Sequence, residues 1–136
     1  MIQTTAISPP KVSTGAVRNW LRAEGLAVLT LSLFLYWHSR SSWWLFVCLL
    51  LVPDLSMLFY LINPRAGSIA YNIVHNYVLP LGLVVLAICT DRNILLPFAW
   101  IWTAHIGMDR VLGYGLKYPT SFQDTHLGTI GNLRQS

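Results

Sequence analysis

The chain has 136 residues, 54% of them hydrophobic and 10% charged, where a soluble domain carries about 25% charged residues. That deficit sets aside an ordinary soluble enzyme and predicts a membrane protein; a span takes about 20 apolar residues, so about four fit in one domain. The formal charge is +4, but the basic residues are scattered at the flanks of apolar runs without a basic patch or stacking aromatics, which excludes nucleic acid as a partner.

Residues 1–16, MIQTTAISPPKVSTGA, are polar and aperiodic and predict a flexible N-terminal tail. A first helix is expected from about Val17 to Trp37, closing on the aromatic cluster Tyr36, Trp37 and His38. It begins too far in, and lacks the small-residue cleavage site, for a signal peptide, so it reads as a retained span. A second helix, Trp43 to Ile62, is interrupted by Pro53 and Asp54, where a kink is expected. A third runs from Ser68 to Ile88 with Tyr71, Asn72, His75 and Asn76 in its first half and Pro80 after them. A fourth runs from Ile94 to Leu116 and carries Trp100, Trp102, His105, Asp109 and Arg110. The turns HSRSS, NPRAG and TDRN are short, so successive helices should be neighbours. The expectation is an all-α membrane protein, an antiparallel four-helix transmembrane bundle over residues 17–117. Residues 118–136 follow as a cytoplasmic C-terminal tail able to fold back as a lid. Cys48 and Cys89 sit singly in apolar runs, outside any CxxC pair, and predict inert buried thiols.

Four spans return the C-terminus to the side of the N-terminus. Lys11, Arg18, Arg22, Arg65, Arg110, Lys117 and Arg134 flank that side, and only Arg40 and Arg92 flank the other. The positive-inside rule then predicts a multi-pass inner-membrane protein with both termini cytoplasmic.

Depth can be counted at about 1.5 Å per residue. Asp54, His75 and Asp109 each fall about two turns from the cytoplasmic ends of their helices, and His105 about three. Glu24 lies nearer the headgroups, where an ion pair with Arg18 or Arg22 accounts for it equally well. Asn72, His75, Asn76 and Leu79 share one helical stripe, at i, i+3, i+4 and i+7; His105 and Asp109 make a matching one. Ionisable residues at membrane depth face inward and mark function more often than packing. Asp54, His75, His105 and Asp109 are therefore the expected catalytic group, with Asn72, Asn76, Tyr71 and Trp102 as substrate-binding neighbours. The same four, joined by His126 of the tail, are also candidate ligands for zinc, iron or manganese. Taken singly, each has a plainer account: Asp54 as a helix cap, His75 as a satisfied core histidine, and His105 with Asp109 as a hydrogen-bonded pair between helices.

The segments PDLSMLFY, YNIVHNY, AHIGMDRVLGYGLKYP and THLG, in this order, resemble a family of small bacterial integral membrane proteins classed as a domain of unknown function. The resemblance runs from the first helix to Gly128 and implies the membrane class. No activity comes with it.

Two classes of function remain open. One is an intramembrane enzyme acting on a lipophilic small molecule from the bilayer, by metal-assisted hydrolysis or by metal-free acid–base isomerisation or cyclisation. The other is a non-enzymatic lipid- or ligand-binding subunit, or a proton-coupled one working as a homo-oligomer. The bare apolar half of every helix counts against a carrier, which needs polar groups on both sides of its site.

Overall fold

The computed structural model describes residues 14–129. Residues 1–13, including Lys11, and residues 130–136, including Arg134, lie outside the described residues. The first helix, α1 (Thr14–His38), is followed by α2 (Trp43–Leu50), a 3₁₀ segment (Val52–Leu61), α3 (Pro64–Val74), α4 (Val78–Cys89), a short 3₁₀ turn (Asn93–Leu95) and α5 (Leu96–Leu112). A hairpin of two-residue strands, β1 (Asp124–Thr125) and β2 (Gly128–Thr129), closes the described chain. The fold is thus helical; the turns at HSRSS and TDRN fall where expected, but most of NPRAG is helical, with Asn63 as cap and α3 starting at Pro64 instead of Ser68, and α5 ends at Leu112 instead of Leu116.

Two of the four expected helices are broken inside, and proline explains both. Pro53 has no N–H to give the carbonyl four residues back, and its ring crowds that carbonyl. The chain responds by tightening into ten residues of 3₁₀ helix, far beyond the usual three or four. Pro80 does the same to the turn before it, so α3 stops at Val74 and α4 starts at Val78. Each start is capped where the sequence allows: the Ser42 and Asn63 side chains accept from Trp44 N and Ala66 N. Gly113, at φ 92°, ends α5 in the left-handed region that favours glycine.

The stretches Trp43–Leu61 and Pro64–Cys89 are each long and apolar enough to cross a membrane. Within their most apolar windows, 6% and 17% of residues are buried, whereas the core helix of a soluble protein is mostly buried. At about 1.5 Å per α residue and about 2.0 Å per 3₁₀ residue, the first stretch spans about 30 Å, the thickness of a hydrocarbon core. Cys48 and Cys89 lie on such outward faces and are exposed rather than buried.

Helix α5 sits at the centre, against α1, α2 and α4. The main partner of α1 is α5, not its sequence neighbour α2; those two meet only near their turn, where Tyr36 packs on Trp43 and Phe46. The reason is size. A Cβ on Gly25 would come within 2.5 Å of Arg110 Cβ, and one on Gly107 within 2.9 Å of Leu29 N. Glycine at both positions lets two backbones touch, while WWLFVCLL offers bulk on every face. The α3 helix packs on the 3₁₀ segment. That pairing and the position of α5 bring three sequence-distant stretches together.

Candidate metal centre

The break between α3 and α4 frees four consecutive carbonyls, and each has a side-chain donor. Asn76 Nδ2 donates to Asn72 O at 2.6 Å and Ile73 O at 2.8 Å. Trp102 Nε1 donates to Val74 O at 2.8 Å, and Arg110 Nη2 to His75 O at 2.9 Å. Asn76 Oδ1 also accepts from Val78 N at 2.9 Å and starts α4. Unpaired carbonyls are costly away from water, so this set holds the break open at a fixed place. His75 is the residue at that place, the cap of α3.

Four ionisable side chains converge beside it. His75 Nε2 and His105 Nε2 are 3.1 Å apart. Asp54 Oδ1 lies 3.3 Å from the first and 3.5 Å from the second. Asp109 Oδ2 lies 3.6 Å and 3.7 Å from the same two nitrogens. All four ligand atoms fall within 4.8 Å of one another. Tetrahedral bonds of about 2.0–2.2 Å place ligand atoms about 3.4 Å apart, and the five measured edges bracket that value. Asp54, His75, His105 and Asp109 can therefore hold a metal ion.

The surroundings orient the set. His75 Nδ1 donates to Tyr71 O at 3.0 Å, which turns the lone pair of Nε2 toward the centre. The Tyr71 ring stacks on His75 with centroids 3.7 Å apart, and its hydroxyl donates to Asp109 Oδ2 at 3.2 Å. Both histidines are fully buried. His105 Nδ1 has no partner among the described residues; its ring meets that of His75 edge-on, centroids 5.0 Å apart. Two facing imidazole nitrogens at 3.1 Å repel unless a proton or a cation lies between them.

A cavity of about 350 Å³ opens on the carboxylate side of this cluster. Asp54, Tyr71 and Asp109 form its polar wall, and Leu51, Met57 and Leu112 its apolar one. Neither histidine lines it. The Asp54 side chain, 31% exposed, is the ligand most open to whatever enters.

The chain after α5 returns over this cavity. Gly113 turns it, and the Asn72 amide then pairs with both main-chain groups of Lys117: Nδ2 donates to Lys117 O at 2.8 Å, and Lys117 N donates to Oδ1 at 2.7 Å. Tyr114, Lys117 and Phe122 join the cavity wall.

Of the residues expected from sequence, Asp54, His75, His105 and Asp109 meet at one point, with Tyr71 against them. Asn72, Asn76 and Trp102 hold main chain in place, and Trp102 lines outward apolar grooves beside Pro53 rather than this cavity. Leu79 is exposed, so the buried stripe of α3 is Gly67, Ser68, Tyr71 and His75. His126 is exposed and away from the cluster; its Nδ1 accepts from Leu116 N at 2.8 Å. Glu24 is exposed and makes no ion pair among the described residues. Lys117, which sequence reasoning places only at a helix flank, is a further residue of the cavity wall. Its only sequence signal is a lone cation in GYGLKYP, between helix breakers.

The family model described as a domain of unknown function, DUF4260, matches residues 18–130, and the chain belongs to that family. No curated protein and no solved structure matches it.

Proposed function

We propose that this member of a family of unknown function is an integral membrane enzyme that hydrolyses a lipophilic substrate at a single metal ion. The ion, zinc ahead of iron or manganese, is held by Asp54, His75, His105 and Asp109. The observation that carries the reading is the convergence of four ligand atoms within 4.8 Å of one another, each imidazole nitrogen 3.1 to 3.7 Å from the other three, drawn from three separate stretches of chain. A divalent ion held there supplies Lewis acidity, polarising a carbonyl or phosphoryl oxygen and making water a better nucleophile. The chain's own residues do the rest. Tyr71 fixes Asp109 by its hydroxyl and His75 by its carbonyl and ring. Asp54 and Asp109 border the cavity that admits the substrate, and its apolar wall holds an alkyl portion.

The membrane reading takes the helices as a four-helix transmembrane bundle over residues 17–117, with both termini cytoplasmic and the tail from residue 118 as a lid. Outward-facing Leu, Ile, Val, Phe and Trp side chains on the helices support it. Assay of the metal-loaded protein on long-chain esters and phosphoesters in mixed micelles tests the reaction. Asp54→Asn, His75→Ala, His105→Ala and Asp109→Asn should each lower turnover by at least about a hundredfold, without additivity.

One observation favours a second reading. Four protein ligands complete a tetrahedron, as in structural zinc sites, whereas catalytic sites keep a position open. On that reading the chain is a lipid- or ligand-binding subunit stabilised by metal. A metal-bound protein that turns over none of these substrates, and unfolds when the metal is chelated, would establish it.

A further inference from the structure

Lys117 is buried, and its ammonium makes no ion pair with Asp54 or Asp109, the two carboxylates of the cavity wall. Its Nζ sits 3.2 Å from the Phe122 ring centroid and 4.7 Å from that of Tyr71, and donates to Phe122 O at 3.1 Å. Ring faces and one carbonyl are modest partners for a buried cation. Burial lowers its pKa to about 8, against the opposing pull of the charged Asp109 and Asp54. The side chain is not what ties the segment down, because the Asn72 amide holds the main chain of residue 117 whatever its side chain. Lys117 also lines the 350 Å³ cavity and, among the described residues, is the one cation in its wall. The nearby Arg110 is committed to the carbonyls of His75 and Tyr114.

We propose that Lys117 selects the substrate class: a single-chain amphiphile with an anionic head, carboxylate or phosphate, whose charge lies against the Lys117 ammonium. Its alkyl chain lies along Leu51, Met57 and Leu112. The inference rests on the metal reading and deepens it. The charges set the condition. With a divalent ion bound, the two carboxylates are balanced, the imidazoles are neutral, and Lys117 leaves the pocket one net positive charge. Without the ion the pocket is net negative and repels an anion. Anion binding is therefore coupled to metal binding.

The test is binding of decanoate, decyl phosphate, decanol, decyltrimethylammonium and inorganic phosphate to protein in non-ionic detergent, with and without one equivalent of zinc. Zinc stoichiometry is measured in parallel. Zinc-loaded protein should bind the two anionic amphiphiles at least about tenfold more tightly than decanol. It should reject the cationic amphiphile and inorganic phosphate. Lys117→Gln and Lys117→Met should lose the anion preference while still taking up one zinc, and Lys117→Arg should keep it. Decanol binding as tightly as decanoate to the zinc-loaded wild type would overturn the proposal without any variant. So would an unchanged preference in Lys117→Gln, or inorganic phosphate binding as tightly as decyl phosphate. A protein that takes up no metal would instead overturn the metal centre, and with it the net positive pocket that this selection needs.

Discussion

At the residue scale, the site depends on Tyr71 as much as on the ligands. Its hydroxyl meets Asp109, its carbonyl takes the His75 proton, and its ring covers His75. Tyr71→Phe removes only the first of these. Loss of such a supporting hydrogen bond typically costs 10–100-fold in metal affinity, so zinc titration should show a drop of about that size with helicity unchanged. Lys117 adds a pH dependence of known sign. Asp54, Asp109, Tyr60 and Tyr71 act on it, and burial is the larger influence, leaving its pKa at about 8. The ammonium is the form that holds an anion. A bound divalent ion offsets the two carboxylates that hold this value up, so decanoate affinity of the zinc-loaded protein should fall as pH rises, with the fall centred at or below about 8; a flat profile from pH 6 to 9.5 would remove Lys117 from that role.

At the scale of elements, the two proline breaks accompany the convergence of Asp54, His75, His105 and Asp109. An unbroken third helix would bond the residue-75 region to its own turns. The break instead recruits Asn76, Trp102 and Arg110 to its carbonyls and holds His75 toward α5. Asn76→Ala leaves the Asn72 and Ile73 carbonyls and the Val78 N–H without these partners. Thermal unfolding followed by circular dichroism should show destabilisation of about 1–3 kcal/mol. An unchanged midpoint would mean that other groups satisfy the break. The four central residues were legible in the sequence because depth along a helix can be counted, and Asp54, His75, His105 and Asp109 agreed in it. The stripe on α3 was not legible in the same way. An unbroken helix places Asn72 and Leu79 beside His75, whereas the chain stops that helix at Val74 and buries Tyr71. The position of α1 also eluded a rule based on short turns, because the contact of Gly25 with Gly107 is visible only when both backbones are in place. Lys117 reaches the site through Asn72, a pairing across 45 residues that no local pattern announces.

At the scale of the whole molecule, the exposed apolar faces and the buried polar cluster make one arrangement, apolar outside and ionisable within. The family match over residues 18–130 covers this whole unit. If the bundle lies in the membrane with both termini inside, a periplasm-active reporter fused after Ser136 should give no signal, and a cytoplasm-active one a full signal; the reverse would overturn the orientation.

The central claim is that Asp54, His75, His105 and Asp109 form one metal centre, and elemental analysis of protein extracted and purified from membranes without chelators or affinity metals tests it most directly. The account predicts about one zinc, iron or manganese per chain, falling to about a tenth or less in His75→Ala and His105→Ala while the Lys117→Gln protein keeps its metal. A wild-type sample that carries no metal, and takes up none when titrated with all three ions, would contradict it.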